Sequence, residues 1–492
     1  MKYLFVHQNM PGQYKHICQR LAADTENTVV FITKREAIDL PNIHKIVYKP
    51  NREPAGSTHL YIRDTERGIL HGQEVARQAL SLKNQGFVPD IVIGHPGWGE
   101  TLYLKDIFPD TPLLNFFEFY YHAVGADVGF DPENPSTLDT HCRIRTKNIV
   151  QFMGLEAADA GMSPTFWQFQ QYPAEYRHKI SVIHDGIDTS ICQPNPDASI
   201  EIRNTDGAVT TLRQGEEVVT YVVRNLEPYR GFPQFMRAAE LILKRRPNAR
   251  IIIIGGDEVS YGRSLPEGQT YRAKALQEVD LDLSRVFFLG RVPYSTYLKV
   301  IQVSGVHVYL TFPFVLSWSV LEAMASQCLL VASDTQPVAE VIKDGSNGLL
   351  FDFFDHQSIA DRVDEVLDHK DRMAAIRKKA RASIVQTYDL EKCLKEQLKL
   401  IDSLIAGKRP VAGSKEGKPS FRSPRGQGGA KAAGNRAKST QAKKASAPSK
   451  AKPKPRGKAG TGKTATGKRR ASRSKTAKDP AKDPAKEPAK VG

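Results

Sequence analysis

Twice along this chain, short runs of β-branched and aromatic residues alternate with stretches whose apolar residues recur every three or four positions. That alternation restricts the chain to parallel sheets covered by helices on both faces. The first series runs KYLFVHQ, TVVFITKR, KIVYKP, DIVIGH and PLLNFFEF, and closes with AADAGMSPTFWQF and KISVIHDGID; helical patterns span Gly12 to about Ala23 and about Ile62 to Leu82. The second runs VVTYVV, RIIIIGG, RVFFLG, VHVYLT, CLLVASD and NGLLFD, with a helix from Pro233 whose Phe232, Phe235, Met236, Ala239, Ile242 and Leu243 share one face. Between them, residues 189–216 are polar and rich in turn formers, as expected of a linker with a small hairpin. The pattern predicts an α/β protein of two doubly wound domains, residues 1–188 and 217–388, followed by a helix over 389–406.

The remaining residues differ in kind. Of 70 Lys+Arg and 54 Asp+Glu, residues 407–492 hold 26 and 4, a surplus of +22; residues 1–406 keep 44 against 50, or −6. This tail is Lys, Ala, Pro, Gly, Ser and Thr with few large apolar residues, so burial cannot offset the entropy of ordering it, and disorder is expected. Such a run of charge would bind polyanions or an anionic membrane surface. Gly457 to Thr464, GKAGTGKT, satisfies the phosphate-loop pattern, but neither flank can form the strand and helix that make the loop converge on phosphate. It is read as a chance match.

Five cysteines (Cys18, Cys142, Cys192, Cys328, Cys393) lie far apart, with no C-x-x-C pair. An odd count without a framework points to a reducing compartment and away from a zinc site. The apolar run in MKYLFVHQNMPG is too short for a signal sequence, and nothing reaches the length of a membrane span. A cytoplasmic protein is expected, with the tail able to hold it at the inner membrane surface.

Ligands of open α/β sheets bind beyond the carboxyl ends of the strands. Arg224 ends the VVTYVV strand and Arg230 follows six residues later, just before a helix; two guanidinium groups at a helix start suit a phosphate. Their alternative is pairing with Glu227 or other carboxylates. Gly255 and Gly256 would let a ligand approach the backbone, or serve as an ordinary turn, and Asp257 beside them is equally ambiguous. Ser319-Val320-Leu321-Glu322 fits a capping box, in which the serine takes an amide and the glutamate returns to the cap. Yet Glu322 lies among Val320, Leu321, Ala323, Met324 and Ala325, and a carboxylate taken from water needs partners; a sugar diol would serve. The acidic triplet at 280–282 reads as a helix end, and no metal or cofactor is expected.

The ordered set of Arg224 with Arg230, the Gly255–Gly256 pair, FLGRVP at 288–293, LEAMA at 321–325, VASDTQPVAEVI at 331–342 and NGLLFD at 347–352 resembles the retaining glycosyltransferases of family 4. The resemblance covers most of residues 1–406. It implies the GT-B architecture, two Rossmann-like domains facing across a cleft, and transfer of a sugar from a nucleoside diphosphate to an unknown acceptor without a metal. It also implies roles. Arg224 and Arg230 would hold the diphosphate, Glu322 the ribose, Arg291 the base pocket, and Gly12 would lie near donor and acceptor. His95 and Glu118, where many relatives carry His, would face the acceptor, and His184 and Asp185 would stand at the domain crossing. The first Glu of the family's E-x7-E pattern is replaced by Phe314, so Ser317, Trp318, Ser319 and Val320 would shape the sugar pocket, with Trp318 expected to pack in the core. That replacement leaves a second expectation open, a sugar-nucleotide binder without turnover, beside a third in which the basic tail leads.

Overall fold

The computed structural model describes residues 1–203 and 209–408. The expected disorder, the phosphate-loop match and nearly all the tail's charge, with the polyanion or membrane role read from it, lie outside the described residues.

Seven parallel strands form the first sheet: β1 (Lys2–Val6), β2 (Thr28–Thr33), β3 (Ile43–Val47), β4 (Ile91–Gly94), β5 (Leu113–Phe116), β6 (Ala160–Ser163) and β7 (Ile180–Val182), in the order β3-β2-β1-β4-β5-β6-β7. A two-stranded antiparallel hairpin, β8 (Ser199–Arg203) and β9 (Val209–Arg213), follows. Six parallel strands then form the second sheet: β10 (Val218–Asn225), β11 (Arg250–Gly256), β12 (Val286–Gly290), β13 (Val306–Tyr309), β14 (Leu330–Ser333) and β15 (Leu349–Phe351), in the order β12-β11-β10-β13-β14-β15. This is the GT-B arrangement of two Rossmann-like units. Their strands are nearly continuous apolar runs, as burial on both faces requires.

Each sheet is covered on both faces. In the second, Tyr221, Phe235, Met236 and Ile253 pack on one side, and Ile252, Val300, Leu321 and Met324 on the other. The helix Leu390–Ile405 belongs by packing to the first unit, because Leu394, Leu400, Ile401 and Leu404 join Tyr3, Phe5 and Ile17 in one core cluster. The helix Leu138–Ala157, absent from the sequence expectations, flanks β5 and carries residues that matter below.

Strand order reverses direction once in each sheet. In the first, β1 and β4 are neighbours and their connections leave to opposite sides; in the second, β10 and β13 are. Loops leaving the carboxyl ends of such a pair diverge and open a crevice. The loops after β1, β4 and β5 therefore line one wall of a cleft, and those after β10 and β13 the other. The cavity between them measures about 2010 Å³.

Candidate active site

From the first sheet, His7 directly follows β1, His95 directly follows β4, and the chain leaving β5 carries Glu118. His7 and Glu118 are joined through Gln13 in one hydrogen-bond chain, and His95 stands beside its end. The Asn9 amide donates to His7 Nδ1 (2.8 Å), which leaves the proton of the neutral ring on Nε2, from where it is given to Gln13 Oε1 (2.9 Å). Gln13 Nε2 donates to Glu118 Oε1 (2.7 Å). The Gly97 amide donates to His95 Nδ1 (3.1 Å), so His95 Nε2 carries a proton toward Glu118 Oε2, 3.5 Å away. Every donor thus points one way and the chain ends on a carboxylate that lines the cleft. Burial alone would raise Glu118, but His95 at 3.5 Å, with His7 and Gln13 behind, brings its pKa below the ordinary carboxylate value. Burial and the neighbouring His95 push His7 down to about 3, so it stays neutral.

Gly12 sits in this loop for a steric reason. Its φ is +53°, and a Cβ there would meet the His7 ring at 2.9 Å. Trp98 stacks on His95, with ring centroids 4.4 Å apart, and closes the floor. His7 and Gln13 were not singled out from the sequence, although a histidine on the last turn of a strand followed by an amide side chain in the same loop was a usable signal.

From the second sheet, Arg224 at the end of β10 is exposed and lines the cleft with no hydrogen bond or ion pair to another described residue. Arg230 behaves otherwise. It is buried, and its Nη1 donates to Tyr309 Oη (3.2 Å), Thr311 Oγ1 (2.7 Å) and the Val315 carbonyl (3.1 Å), tying down the loop after β13. The Tyr261 ring lies 5.4 Å from its guanidinium carbon. Glu227, the alternative partner for these cations, accepts from the Ser260 and Tyr261 amides (3.0 and 2.8 Å) and so places Tyr261 there. Burial, partly offset by those amides, pushes Glu227 up to about 7.

Several sequence expectations are corrected. The capping box does not form: the helix is Trp318–Ala325, its cap is Ser317, and Ser317 Oγ accepts from the Ser319 amide. Glu322 accepts instead from Tyr294 Oη (2.9 Å) and Tyr297 Oη (2.8 Å), so both oxygens are taken by tyrosines and the carboxylate does not line the main cleft. Burial raises its pKa, the two hydroxyls offsetting part of the effect. Ser319 and Val320 are buried behind Trp318. Trp318 itself is 44% exposed and lines the cleft, because as the first helical residue it is turned away from the apolar face.

Gly255 and Gly256 meet their own chain, not the cleft. A Cβ on the first would strike Leu226 at 2.8 Å, and one on the second Glu258 at 2.4 Å, with Asn225 and Arg291 as close behind. Arg291 pairs with Glu258 (2.7 Å) and Asn225 (3.0 Å), and Asp257 with Arg272 (2.6 Å). His184 and Asp185 are buried 3.6 Å apart at the crossing. Asp282 caps a short turn and pairs with Arg285, and among the described residues no group of three or more His, Cys, Asp or Glu is arranged to hold a metal.

Phe314, at the position of the absent carboxylate, is 5% exposed inside an aromatic cluster. Phe119 lies 4.7 Å from it, Tyr261 5.0 Å and Tyr229 5.7 Å. Phe119 and Trp167 come from the first unit, Tyr229 and Tyr261 from the second, so the cluster joins the two walls. Tyr229 also donates to Asp127 (2.7 Å), and Glu340 of the second unit accepts from the Phe166 and Trp167 amides at a helix start of the first (2.8 and 2.7 Å).

Two family models match consecutive parts of the chain. One described as "Glycosyl transferase family 4 group" matches residues 25–192, and "Glycosyl transferases group 1" matches residues 205–383. The chain belongs to the family 4 glycosyltransferases. Among curated members, a D-inositol 3-phosphate glycosyltransferase of Nocardia farcinica is 27% identical over 203 residues, covering 40% of this chain and 42% of that protein. An alpha-maltose-1-phosphate synthase of Mycolicibacterium smegmatis is 24% identical over 229 residues, covering 44% and 55%. The match thus spans about half the length of these relatives. Two solved structures share the fold at low identity. Sucrose-phosphate synthase of Thermosynechococcus elongatus has a TM-score of 0.62 and 15% identity over 83% of this chain and 100% of that one. Anabaena HepE, solved with UDP and glucose, has a TM-score of 0.58 and 17% identity over 82% and 100%. No helix among the described residues is long and apolar enough to cross a membrane.

Proposed function

We propose that this family 4 chain transfers a glycosyl group, with retention, from a nucleoside diphosphate sugar to a hydroxylated acceptor in the cleft between its two sheets. The observation that supports this most is the opposition of charge across one cavity: Arg224 unpaired on the second wall, and Glu118, kept ionised by His95, on the first. As the bond between the sugar's anomeric carbon and the diphosphate breaks, negative charge grows on the leaving group and positive charge on the carbon. Arg224 meets the first and Glu118 is suited to the second, or to orienting the acceptor hydroxyl that forms the new bond. Arg230 acts by fixing the loop that ends at Ser317, and so the position of Trp318 on the cleft wall. Neither a metal nor a cofactor is assigned a step. Names among relatives and fold neighbours support the donor class, since HepE was solved with UDP.

Incubating the protein with a panel of nucleotide sugars and following release of nucleoside diphosphate tests this, and the anomeric configuration of the product tests retention. Binding with no hydrolysis and no transfer to any acceptor would favour a second reading, a silent sugar-nucleotide binder. Its support is Phe314, an aromatic residue of the cleft wall where the family's pattern has a carboxylate.

A further inference from the structure

The helix Leu138–Ala157 presents Thr140, Arg143, Ile144 and Lys147 to the cleft, a spacing that puts all four on one face. Arg143 and Lys147 are one turn apart, and among the described residues neither takes part in a hydrogen bond or an ion pair. Lys147 is the more telling. Its ammonium sits 3.8 Å from the centroid of the Tyr121 ring and is largely shielded from solvent. Burial lowers its pKa, with Arg143 adding to the effect. The carboxylates whose charge reaches it, Asp64 and Asp127, make their hydrogen bonds elsewhere: Asp64 to Arg67 (3.1 Å) and Asp127, through Oδ2, to the Tyr229 hydroxyl (2.7 Å).

The arrangement is held in place. Asn148, buried next to Lys147, accepts from the Tyr121 amide (3.1 Å) and donates to the Tyr121 carbonyl (2.7 Å), so the residue beneath the ammonium is clamped through both main-chain groups. Tyr121 stands three residues after Glu118 on the same wall, opposite Arg224. A cation shielded from water, in no ion pair and braced on a fixed ring, is prepared for an anion that arrives from outside.

We propose that Arg143 and Lys147 bind a phosphate monoester carried by the acceptor, so that the acceptor is a phosphorylated polyol or sugar. The assignment rests on the glycosyl-transfer reading of the cleft. It gives the two walls distinct anions, the donor diphosphate on Arg224 and the acceptor's ester on the Leu138–Ala157 helix. The Tyr121 hydroxyl, which burial keeps protonated, adds a neutral donor beside the ester.

Titration of the full chain with hexose and inositol monophosphates, with their unphosphorylated parents, with inorganic phosphate and with UDP tests this. At least one ester is expected to bind roughly ten- to hundredfold more tightly than its parent, the range for charge-assisted contacts. Lys147→Met, which keeps the packed stem, and Arg143→Gln should each remove most of that preference and leave UDP affinity unchanged; Lys147→Arg should restore part of it. Equal affinity for esters and parents overturns the proposal. So does inorganic phosphate binding as tightly as the esters, or a parallel loss of UDP affinity in Lys147→Met, which would place these cations on the donor. Failure of UDP, ADP and GDP alike to bind the unaltered protein would instead count against the glycosyl-transfer reading, with the ester comparison still legible.

Discussion

The two places where strand order reverses use their polar groups in opposite ways. Between β1 and β4, His7 and Gln13 form a one-way chain of hydrogen bonds to Glu118, which, with His95 3.5 Å away, is delivered to the cleft as an ionised carboxylate. Between β10 and β13, most polar groups are turned inward: Arg230 holds a loop, Glu227 holds two amides, and an aromatic cluster fills the place of a carboxylate. One reversal point is built to present charge and the other to hold shape, with Arg224 left as its open cation. A shared topology therefore sets where a site lies but not how its walls divide the work.

The largest expected effect tests the shape-holding side. Phe314→Ala should cost about 3–5 kcal/mol of unfolding free energy, as for other buried aromatics, because Phe119 and Tyr261 lose their common partner across the cleft. A loss below about 1 kcal/mol in urea denaturation would show that the cluster does not join the walls. Phe314→Glu, which restores the family's acid, should be at least as harmful to stability, and a stable, faster enzyme would break the comparison outright.

Next comes the open cation. Arg224→Ala should weaken UDP by roughly ten- to hundredfold with little change in stability, since no group among the described residues loses a partner. Arg230→Ala should lower stability as well, by about 1–3 kcal/mol, because two buried hydroxyls and the half-buried Val315 carbonyl lose one donor. If the two variants behaved alike, the division between presenting and holding would fail.

The presenting side has a pH signature. His7 has a pKa of about 3 in the fold against an ordinary value of 6.5, so between those limits the unfolded chain binds a proton that the native chain does not. Stability should therefore fall as pH drops from 6.5 toward 3, by up to about 1.4 kcal/mol per pH unit from this group. His307, brought down to about 4 by burial, acts in the same direction over a shorter range. His7→Gln should flatten the slope measured between pH 7 and 5; an unchanged slope would mean that His7 titrates normally.

The smallest effect is expected at Glu322. Glu322→Gln keeps an oxygen for one tyrosine hydroxyl and should change UDP affinity less than about threefold. A larger loss would return Glu322 to the donor site that its sequence position suggested.

What the sequence revealed and what it hid follow from range. Apolar runs separated by helical periodicity carry their own register, so both sheets and the positions of Arg224, His95 and Glu118 at strand ends could be read directly. Glu322 could not, because its partners Tyr294 and Tyr297 lie 28 and 25 residues upstream on another helix. The substitution at Phe314 was plain, but its consequence depends on loops leaving β5, β10 and β11, which meet only in three dimensions. Ser319-x-x-Glu322 satisfied a local pattern that the chain resolved two residues earlier, at Ser317. Arg143 and Lys147 went unnoticed because their helix is amphipathic only weakly; its one-turn spacing of cations was the signal available.

The central claim is that a diphosphate is gripped by Arg224 across the cleft from Glu118. Calorimetric titration of UDP, ADP and GDP against their parent nucleosides, on the unaltered protein, Arg224→Ala and Glu118→Gln, tests it most directly. At least one diphosphate should bind far more tightly than its nucleoside, with that advantage lost in Arg224→Ala and retained in Glu118→Gln. Equal affinity for every diphosphate and its nucleoside, or an advantage that survives Arg224→Ala, would contradict the account.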